Sequence, residues 1–162
     1  MIIRLMTLEE TEVVADLWLE TSIAAHSFVA EEFWYKHYDE IKDKYLPCSV
    51  TYVAEEDEQV IGFISILAWK KIGGLFVAVD CQRQGIGRAL LEQAKVLCTS
   101  LELDVYAKNE KAVQFYLKQG FNPLLAYRGG DTGQESFRLR WLKNKAELRP
   151  PKDLAEQDII LY

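Results

Sequence analysis

The sequence lacks the features that mark membrane, disulfide-rich and disordered proteins. None of its apolar runs approaches the roughly twenty residues that a membrane-spanning helix needs, and its N-terminus has no signal-peptide pattern. The three cysteines are odd in number and include no Cys-x-x-Cys pair, as expected for reduced thiols in the cytoplasm. Apolar residues make up 49% of the chain, which is well above a disordered composition. With 162 residues, the chain is predicted to be a single-domain cytoplasmic protein.

Acidic and basic residues are unevenly distributed along the chain, whose net charge is −6. Residues 9–58 contain fourteen acidic and three basic residues, whereas residues 59–162 contain eleven acidic and fifteen basic ones. The basic half suits a phosphate-bearing ligand and the acidic half a cationic one, although solvated helix faces explain the same pattern equally well. An acidic chain without a basic aromatic patch argues against nucleic acid as a partner.

A glycine-containing turn at residues 82–87, Gln-Arg-Gln-Gly-Ile-Gly, is the first motif with chemical meaning. It follows the apolar run 75–79 and precedes the amphipathic run 88–97, so a strand, a turn and a helix start are predicted there. The first N–H groups of a helix have no intrahelical partner and carry partial positive charge, so they bind anions. Glycines in the turn let a phosphate approach the backbone. A phosphate-bearing cofactor is therefore predicted, although such junctions also carry glycines for geometry alone.

Two common nucleotide motifs are excluded at this turn. The dinucleotide-binding fingerprint needs a third glycine three residues after Gly87, where this chain has Leu90. The phosphate loop of nucleoside triphosphatases needs Gly-Lys-Ser/Thr, but Gly87 is followed by Arg88 and Ala89. The turn alone therefore leaves its phosphate ligand unidentified.

A second motif follows a short strand predicted at 103–107. Residues 109–121 read Asn-Glu-Lys-Ala-Val-Gln-Phe-Tyr-Leu-Lys-Gln-Gly-Phe and fit the pattern Asn-x-x-Ala-x-x-Phe-Tyr-x-x-x-Gly-Phe. Placed some twenty residues after Gln-x-x-Gly-x-Gly, this pattern closely resembles the GNAT acetyltransferase superfamily. The resemblance covers residues 2–142, and the two motifs in this order are far more specific than either alone.

The resemblance implies acetyl-CoA as the co-substrate and a role for each motif, with no metal involved. Asn109 would lie near the pantetheine arm, and Tyr116 would act as the catalytic acid that protonates the departing thiolate. The pyrophosphate would be bound by Gln82, Arg83, Gln84, Gly85, Ile86, Gly87 and Arg88. Family members splay two parallel strands so that pantetheine inserts between them, here beside the main chain of Leu75, Phe76 and Val77.

The expected fold is α/β (α+β), a GNAT fold with a central mixed, mostly antiparallel twisted sheet. It would have about seven strands, a splayed parallel pair and about four flanking helices. Apolar periodicity predicts the element order β-α-α-β-β-β-α-β-α-β-β. Thr7 and Glu10 form a capping pattern for the first helix, and Pro47 is expected to end the second, predicted at 30–45.

The domain is predicted to span residues 1–142, followed by a C-terminal extension at 143–162. Within the extension, residues 158–162 read Asp-Ile-Ile-Leu-Tyr and predict a short apolar strand. Such a strand needs a sheet edge or a groove, so the extension is expected to pack on its own domain or on a second subunit. Monomer and homodimer are both compatible with this expectation.

The acceptor side is predicted mainly from the segment between the first two helices. Residues 21–28, Thr-Ser-Ile-Ala-Ala-His-Ser-Phe, resemble the corresponding connection in small bacterial members of the family. His26 is therefore a second catalytic candidate, as acceptor of the amine proton or as part of the acceptor pocket; a surface histidine that only forms hydrogen bonds is the alternative. The aromatic residues Trp34, Tyr38 and Trp69 are expected either to line the same pocket or to pack in the core. Tyr127 and Asp131, near the last turn, are weaker candidates.

The general base has no clear signal in the sequence. Some family members use a glutamate on the fourth strand, but residues 63–79 contain no acidic residue. Glu55 and Glu102 are carboxylates near predicted strand ends, and a chain of water molecules to solvent would serve as well.

The sequence thus predicts an acetyl-CoA-dependent N-acetyltransferase in which a primary amine attacks the thioester directly in a ternary complex. The acceptor would be a small amine, or a lysine or N-terminus of a peptide or protein. Two alternatives stay open: transfer from another acyl-CoA, and a non-catalytic module that binds acyl-CoA and regulates a partner. Tyr116 favours catalysis, because a sensor needs no acid for a thiolate.

Overall fold

The structure, a computed structural model, describes residues 1–144, which contain seven strands and four helices of at least nine residues. The strands are β1 (Ile2–Leu5), β2 (Val50–Glu56), β3 (Gln59–Leu67), β4 (Lys71–Val77), β5 (Ser100–Tyr106), β6 (Asn122–Arg128) and β7 (Glu135–Leu142). The helices are α1 (Thr11–Ala25), α2 (Glu31–Glu40), the single turn α3 (Leu46–Cys48), α4 (Ile86–Leu97) and α5 (Glu110–Lys118). Apart from its first two residues, the predicted extension at 143–162, with its strand at 158–162, lies outside the described residues.

The strands form one sheet in the order β1-β2-β3-β4-β5-β7-β6. Strands β4 and β5 are parallel, and the other neighbouring pairs are antiparallel. A helix connects β4 to β5, as a parallel pair requires, whereas short turns connect β2, β3 and β4. The mixed sheet and the element order predicted from the sequence are therefore confirmed.

The sheet has an apolar core on each of its faces. Strand side chains alternate between the faces, because the side-chain period of a strand is two. Leu101, Leu103 and Val105 of β5 belong to the core that α4 and α5 cover, whereas Val53 and Phe63 of β2 and β3 belong to the core under α1 and α2. These two sides are called the α4/α5 face and the α1/α2 face below.

The first helix begins as the sequence predicts, but through a tighter turn. The Thr7 N–H donates to Glu10 Oε2 at 2.8 Å, and a 3₁₀ turn at Leu8–Glu10 leads into α1. Glu10 also accepts two hydrogen bonds from Arg4, which bonds Glu55 of β2 as well. The Arg4 guanidinium lowers the pKa of Glu10 to about 2. This cluster ties the start of α1 to the first two strands.

Pro47 does not end the second helix where the sequence predicts. After α2, the chain continues through a π-helical turn at Ile41–Tyr45 into α3, so Pro47 lies within the last helical turn. Proline has no N–H to donate, and it is tolerated in a first turn because an N–H there has no helical partner. The wider π turn ends one run of helical hydrogen bonds, so Pro47 lies in the first turn of a new one, α3. Strand β2 begins only at Val50.

A β-bulge at Gly73 divides β4 into two parts. Consecutive residues of β3 pair with Gly74 and Ile72, so Gly73 has no partner in β3. The extra residue shifts the alternation of side chains, and Ile72 and Leu75 both pack in the core of the α4/α5 face. A Cβ at position 73 would lie 1.1 Å from Tyr45 Oη, so the bulge requires glycine.

We expect Gly73→Ala to lower the free energy of unfolding by roughly 1–3 kcal/mol, because the added Cβ must displace the Tyr45 ring or β4 itself. Urea unfolding measures the change, with an unchanged m-value if the native state stays compact. Tyr45→Leu in the same chain is the matched control, since it removes the clashing phenol and should recover part of the loss. An unaltered urea midpoint for Gly73→Ala would contradict the packing of Tyr45 against this glycine.

Candidate active site

Strands β4 and β5 touch at one end only. Their register contains a single pair, Lys71 with Glu102, and the Glu102 N–H donates to Lys70 O at 2.9 Å. Across this closed end, Lys71 Nζ lies 3.3 Å from Asp104 Oδ2, and Arg138 of β7 binds the same carboxylate. Beyond this end the strands are unpaired, so an open gap separates their C-terminal halves. The splayed parallel pair predicted from the sequence is confirmed.

The main chain of β4 lines one side of this gap. The Ala78 N–H donates to a carbonyl of β3 at 2.9 Å. Successive residues of a strand direct their N–H and C=O groups to opposite sides, so Val77 and Leu75 direct theirs into the gap, whereas Phe76 directs its own to β3. The Val77 carbonyl accepts a hydrogen bond from Gln82 Nε2 at 3.0 Å. Two of the three main-chain positions predicted for pantetheine therefore face the gap.

The turn between β4 and α4 presents a row of free backbone N–H groups. Within the described part of the chain, the N–H groups of residues 83–88 have no backbone carbonyl partner, and Ala89 N–H makes the first bond to Gly85 O. Arg83 and Gly85 have φ angles of 64° and 86°, and a Cβ at Gly85 would meet no atom within 4 Å. The side chains of Arg83 and Arg88 are exposed. This turn thus supplies the donors and positive charge that a pyrophosphate needs.

Tyr116 lies on α5, inside the core of the α4/α5 face. It is 8% exposed and packs against Phe115 and Phe121, with ring centroids 5.2 and 5.5 Å apart. The same core contains side chains of β4 and β5 from both sides of the gap. Burial raises the pKa of Tyr116, so the phenol keeps its proton at neutral pH.

Asn109 caps α5 and bonds the ring of His26. Its Oδ1 accepts from the Ala112 N–H at 3.3 Å, and its Nδ2 lies 3.2 Å from His26 Nε2. On the other side of the ring, His26 Nδ1 lies 2.9 Å from the carbonyl of Ser22. A carbonyl oxygen only accepts, so Nδ1 carries the proton and Nε2 accepts from Asn109. Two residues predicted from distant segments thus form one hydrogen-bonded chain.

This arrangement agrees with the resemblance of the two motifs, and comparison with known proteins identifies the family. A sequence model of the acetyltransferase (GNAT) domain matches residues 47–123. The peptidyl-lysine N-acetyltransferase YiaC of Escherichia coli (strain K12) is 35% identical over 113 residues, which cover 70% of this chain and 77% of that protein. This chain belongs to the GNAT acetyltransferase family.

Further relatives agree with this assignment. The peptidyl-lysine N-acetyltransferase YjaB of E. coli (strain K12) is 33% identical over 114 residues, covering 70% of this chain and 76% of YjaB. The solution structure of apo YjaB from E. coli has a TM-score of 0.75 and 28% identity, covering 86% of this chain and 95% of that one. The PaiA N-acetyltransferase from Thermoplasma acidophilum, solved with coenzyme A, shares the fold, with a TM-score of 0.71, 22% identity and coverage of 88% and 99%. The predicted resemblance to small bacterial members is confirmed.

As a GNAT member, the enzyme is an acetyltransferase whose acetyl donor is acetyl-CoA. The residues present fit this co-substrate, because a turn with free N–H groups adjoins a gap between two strands. None of the helices within residues 1–144 is long and apolar enough to span a bilayer.

The α1/α2 face of this acetyltransferase carries an aromatic cluster at the open end of the gap. The His26 ring stacks on Trp34, with centroids 5.1 Å apart and an interplanar angle of 27°. Its edge contacts are with Tyr106 at 5.2 Å and Phe28 at 5.7 Å. Tyr106 was missed from the sequence; its position as the last residue of β5, beside the gap, is the signal that marks it.

The turn between β6 and β7 borders the same cluster. Gln134 Nε2 donates to Phe28 O at 3.4 Å, and His37 Nε2 of α2 lies 3.7 Å from Asp131 Oδ2. These contacts join the turn to α2 and to the connection that precedes it. Asp131, a weaker candidate in the sequence, therefore lies beside α2, near the aromatic cluster. Tyr127 lies farther along β6, with the Arg138 guanidinium 6.0 Å from its ring centroid.

Two aromatic residues predicted for the acceptor pocket lie elsewhere. Trp69 is 60% exposed in the turn before β4, at the closed end of the gap, where it borders a shallow apolar groove of about 350 Å³ with Leu5 and Pro47. Its placement is explained by the turn itself, since Ala68 and Trp69 have φ angles of 48° and 55° and reverse the chain there. The Tyr38 hydroxyl donates to Asp16 of α1 instead of facing the gap.

The two carboxylates considered as general bases are both engaged by cations. Glu55 binds Arg4 on the far side of the sheet, at β1 and β2. Glu102 accepts from Arg140 of β7 at 2.6 Å and lies 3.6 Å from Lys70 Nζ. Both carboxylates therefore stabilise the sheet. Glu102 pairs with Lys71 at the closed end of the gap, and Glu55 lies at β1 and β2, so neither carboxylate lies at the open end.

Tyr116 and His26 lie on opposite faces of the sheet. Tyr116 is in the core under α4 and α5, whereas His26 packs among the aromatic residues of the α1/α2 face. Asn109, at the start of α5, lies between the two sides and contacts His26. The gap between β4 and β5 therefore lies between the two predicted catalytic residues and opens towards both.

Proposed function

We propose that this acetyltransferase transfers the acetyl group of acetyl-CoA to a primary amine, with a lysine side chain of a peptide or protein as the favoured acceptor. The observation that carries the proposal is the gap between β4 and β5. It opens between an anion-binding turn on the α4/α5 face and an aromatic cluster on the α1/α2 face. The names of YiaC and YjaB, both peptidyl-lysine N-acetyltransferases, favour lysine over other amines.

The same geometry supports a proposal for the cofactor-binding residues. The pyrophosphate would bind the N–H groups of 83–88, with Arg83 and Arg88 supplying positive charge and Gln82 bracing the turn through the Val77 carbonyl. Pantetheine would pair with the main chain of Leu75 and Val77 and with the Asn109 amide. Phe76 would contribute through its ring, which packs on Phe63 with centroids 5.4 Å apart.

The chemistry requires a neutral amine, a stabilised oxyanion and a proton for the leaving thiolate. We assign the last role to Tyr116, whose buried phenol is protonated and lies in the core beside the gap. A main-chain N–H of β4 would polarise the thioester carbonyl, and losing one such donor typically raises the barrier by about 3 kcal/mol. The amine would attack the thioester carbonyl directly within a ternary complex and form a tetrahedral oxyanion. Collapse of this intermediate would break the C–S bond and release the CoA thiolate, so no acetyl-enzyme forms.

The acceptor would approach from the α1/α2 face. Residues 9–58, which include α1 and α2, carry the acidic excess of the chain, and the Asp131 side chain is 73% exposed. A cationic lysine is therefore attracted to the face from which it must attack. The ammonium proton would leave to solvent water at this open face, because Glu55 and Glu102 are held in ion pairs.

Thiol release across three acceptor classes tests the proposal. Purified protein with acetyl-CoA should release CoA quickly when a lysine-bearing protein or a lysine peptide is added, and more slowly with a small amine such as spermidine. Mass spectrometry should locate the acetyl group on lysine. Binding of acetyl-CoA with no thiol release for any acceptor would instead support a non-catalytic module. A faster reaction with a longer acyl-CoA would support transfer of a different acyl group, which needs a deeper pocket in the gap.

A further inference from the structure

His26 has no ring nitrogen free to accept a proton from the substrate. Nδ1 donates to the Ser22 carbonyl, and Nε2 accepts from Asn109. The residue is 9% exposed, and its ring is enclosed by Trp34, Tyr106 and Phe28. Burial also lowers the pKa of His26, which favours the neutral ring. These contacts argue for a role other than the proton acceptor that the sequence suggests.

The Asn109 amide is held at both of its ends. The Ala112 N–H fixes the oxygen, and His26 Nε2 accepts one of the two hydrogens of Nδ2. The second hydrogen of Nδ2 has no acceptor among residues 1–144. If the Asn109 amide turned by 180°, its Nδ2 donor would face the Ala112 N–H donor, and its Oδ1 acceptor would face the lone pair of His26 Nε2. Only the observed orientation therefore forms both hydrogen bonds.

We propose that His26 is a positioning residue: its neutral ring holds the Asn109 amide so that one N–H stays available to a carbonyl of the pantetheine arm. This inference rests on the proposed cofactor site, because it assigns to Asn109 a contact with pantetheine. In this role His26, which lies on the α1/α2 face, affects cofactor binding through Asn109. It takes no part in the proton transfer.

A protonated ring would break this arrangement. With hydrogens on both ring nitrogens, His26 Nε2 would face the Asn109 N–H donor to donor, and the amide could not turn without losing the bond from Ala112. Among the aromatic neighbours of the ring within residues 1–144, Tyr106 is the titratable one, and Lys108 lies beyond Phe28, with Nζ 5.6 Å from the Phe28 centroid. Acetyl-CoA affinity should therefore weaken at acidic pH as this single ring takes up a proton.

A double-mutant cycle on acetyl-CoA affinity tests the inference, with calorimetry of the full chain as the readout. His26→Asn keeps a donor near Nδ1 but removes the acceptor for Asn109. Asn109→Ser keeps a helix cap but removes the amide. Each single change should weaken acetyl-CoA binding by about tenfold, the usual effect of one lost hydrogen bond. The double variant should bind no more than about twofold more weakly than Asn109→Ser alone, because His26 acts through the amide.

Rescue and control variants separate positioning from a structural role. His26→Gln can place its amide oxygen near Nε2 and should restore affinity to within about threefold of the original chain. His37→Asn is the matched control, because His37 makes the same contact with a carbonyl four residues earlier, Nδ1 to Phe33 O at 2.7 Å, but lies away from Asn109. It should leave acetyl-CoA affinity unchanged. The chain has two histidines, so ¹⁵N spectra can show directly whether His26 carries its proton on Nδ1.

Several outcomes would overturn the inference. Additive losses in the double variant, no rescue by glutamine, or a proton on Nε2 would each show that His26 does not position Asn109. A fall in kcat at unchanged acetyl-CoA affinity for His26→Asn would restore His26 as the proton acceptor. The original chain's failure to bind acetyl-CoA would contradict the proposed function itself, a result distinct from all of these.

Discussion

Tyr116→Phe should lower turnover by tenfold or more, in line with general-acid contributions of roughly 10²–10⁴, while acetyl-CoA affinity stays near normal. The substitution removes one oxygen from a side chain that is 8% exposed and leaves its ring packing on Phe115 and Phe121. Without the phenol, the thiolate must leave unprotonated or wait for water. Thiol release under saturating acetyl-CoA measures the loss, and calorimetry measures the affinity.

The pH dependence of turnover adds a second test of the same residue. Because burial raises the pKa of Tyr116, the acid should stay protonated to above pH ~10, its ordinary value. Turnover should therefore show no alkaline fall due to this group between neutral pH and that limit. Tyr45→Phe is the matched control, since it removes a buried hydroxyl beside Gly73 that has no hydrogen-bond partner within residues 1–144. If both variants keep full turnover, Tyr116 is not the acid.

Gly85→Val should weaken acetyl-CoA binding by roughly 10- to 100-fold, the equivalent of one or two lost hydrogen bonds to a charged group. Gly85 has a φ angle of 86°, which disfavours a β-branched side chain, and it is the N-cap residue directly before α4. An added Cβ would meet no atom of residues 1–144 within 4 Å, so we expect the valine side chain to enter the space proposed for the pyrophosphate. Calorimetry with acetyl-CoA and with CoA should show the same loss, because both carry the pyrophosphate.

Gly133→Val separates backbone strain from ligand exclusion. Gly133 also has a positive φ angle, 64°, and an added Cβ there would likewise meet no atom within 4 Å, but it lies in the turn between β6 and β7. Both valine variants should therefore lose similar amounts of stability, whereas only the one at 85 should lose cofactor affinity. If the original protein, Gly85→Val and Gly133→Val all bind acetyl-CoA with equal affinity, the pyrophosphate does not bind at this turn.

The fold was predictable because local patterns and long-range packing agree over most of the chain. The turn at 82–87 combines an apolar strand, glycine and an amphipathic helix, and the structure has β4, the turn and α4 there. The errors in the predicted secondary structure occur where two local preferences of the chain compete. Pro47 was expected to end a helix, but the π turn at Ile41–Tyr45 allows the helix to continue. The bulge at Gly73 has no sequence signal beyond two adjacent glycines.

The site was only partly predictable, because its decisive contacts join segments far apart in sequence. His26 and Asn109 are 83 residues apart, and no local pattern indicates that they share a hydrogen bond. Trp69 was predicted to line the acceptor pocket or to pack in the core, but the turn at Ala68 and Trp69, both with positive φ, leaves it exposed at the closed end of the gap. In the sequence Tyr106 looks like any other strand residue. Its contact with His26 becomes visible only in the structure, where β5 ends beside the aromatic cluster.

The two-sided gap has a kinetic consequence. Acetyl-CoA and the amine would enter from opposite faces of the sheet. Each could therefore dissociate while the other stays bound. If pantetheine fills the gap from the α4/α5 face, as proposed, solvent would reach the thioester only from the α1/α2 face. Loss of acetyl-CoA to hydrolysis would then depend on how well Phe28, Tyr106 and the β6–β7 turn shield that opening. The aromatic cluster would thus act as a barrier to water as well as a binding surface for the amine.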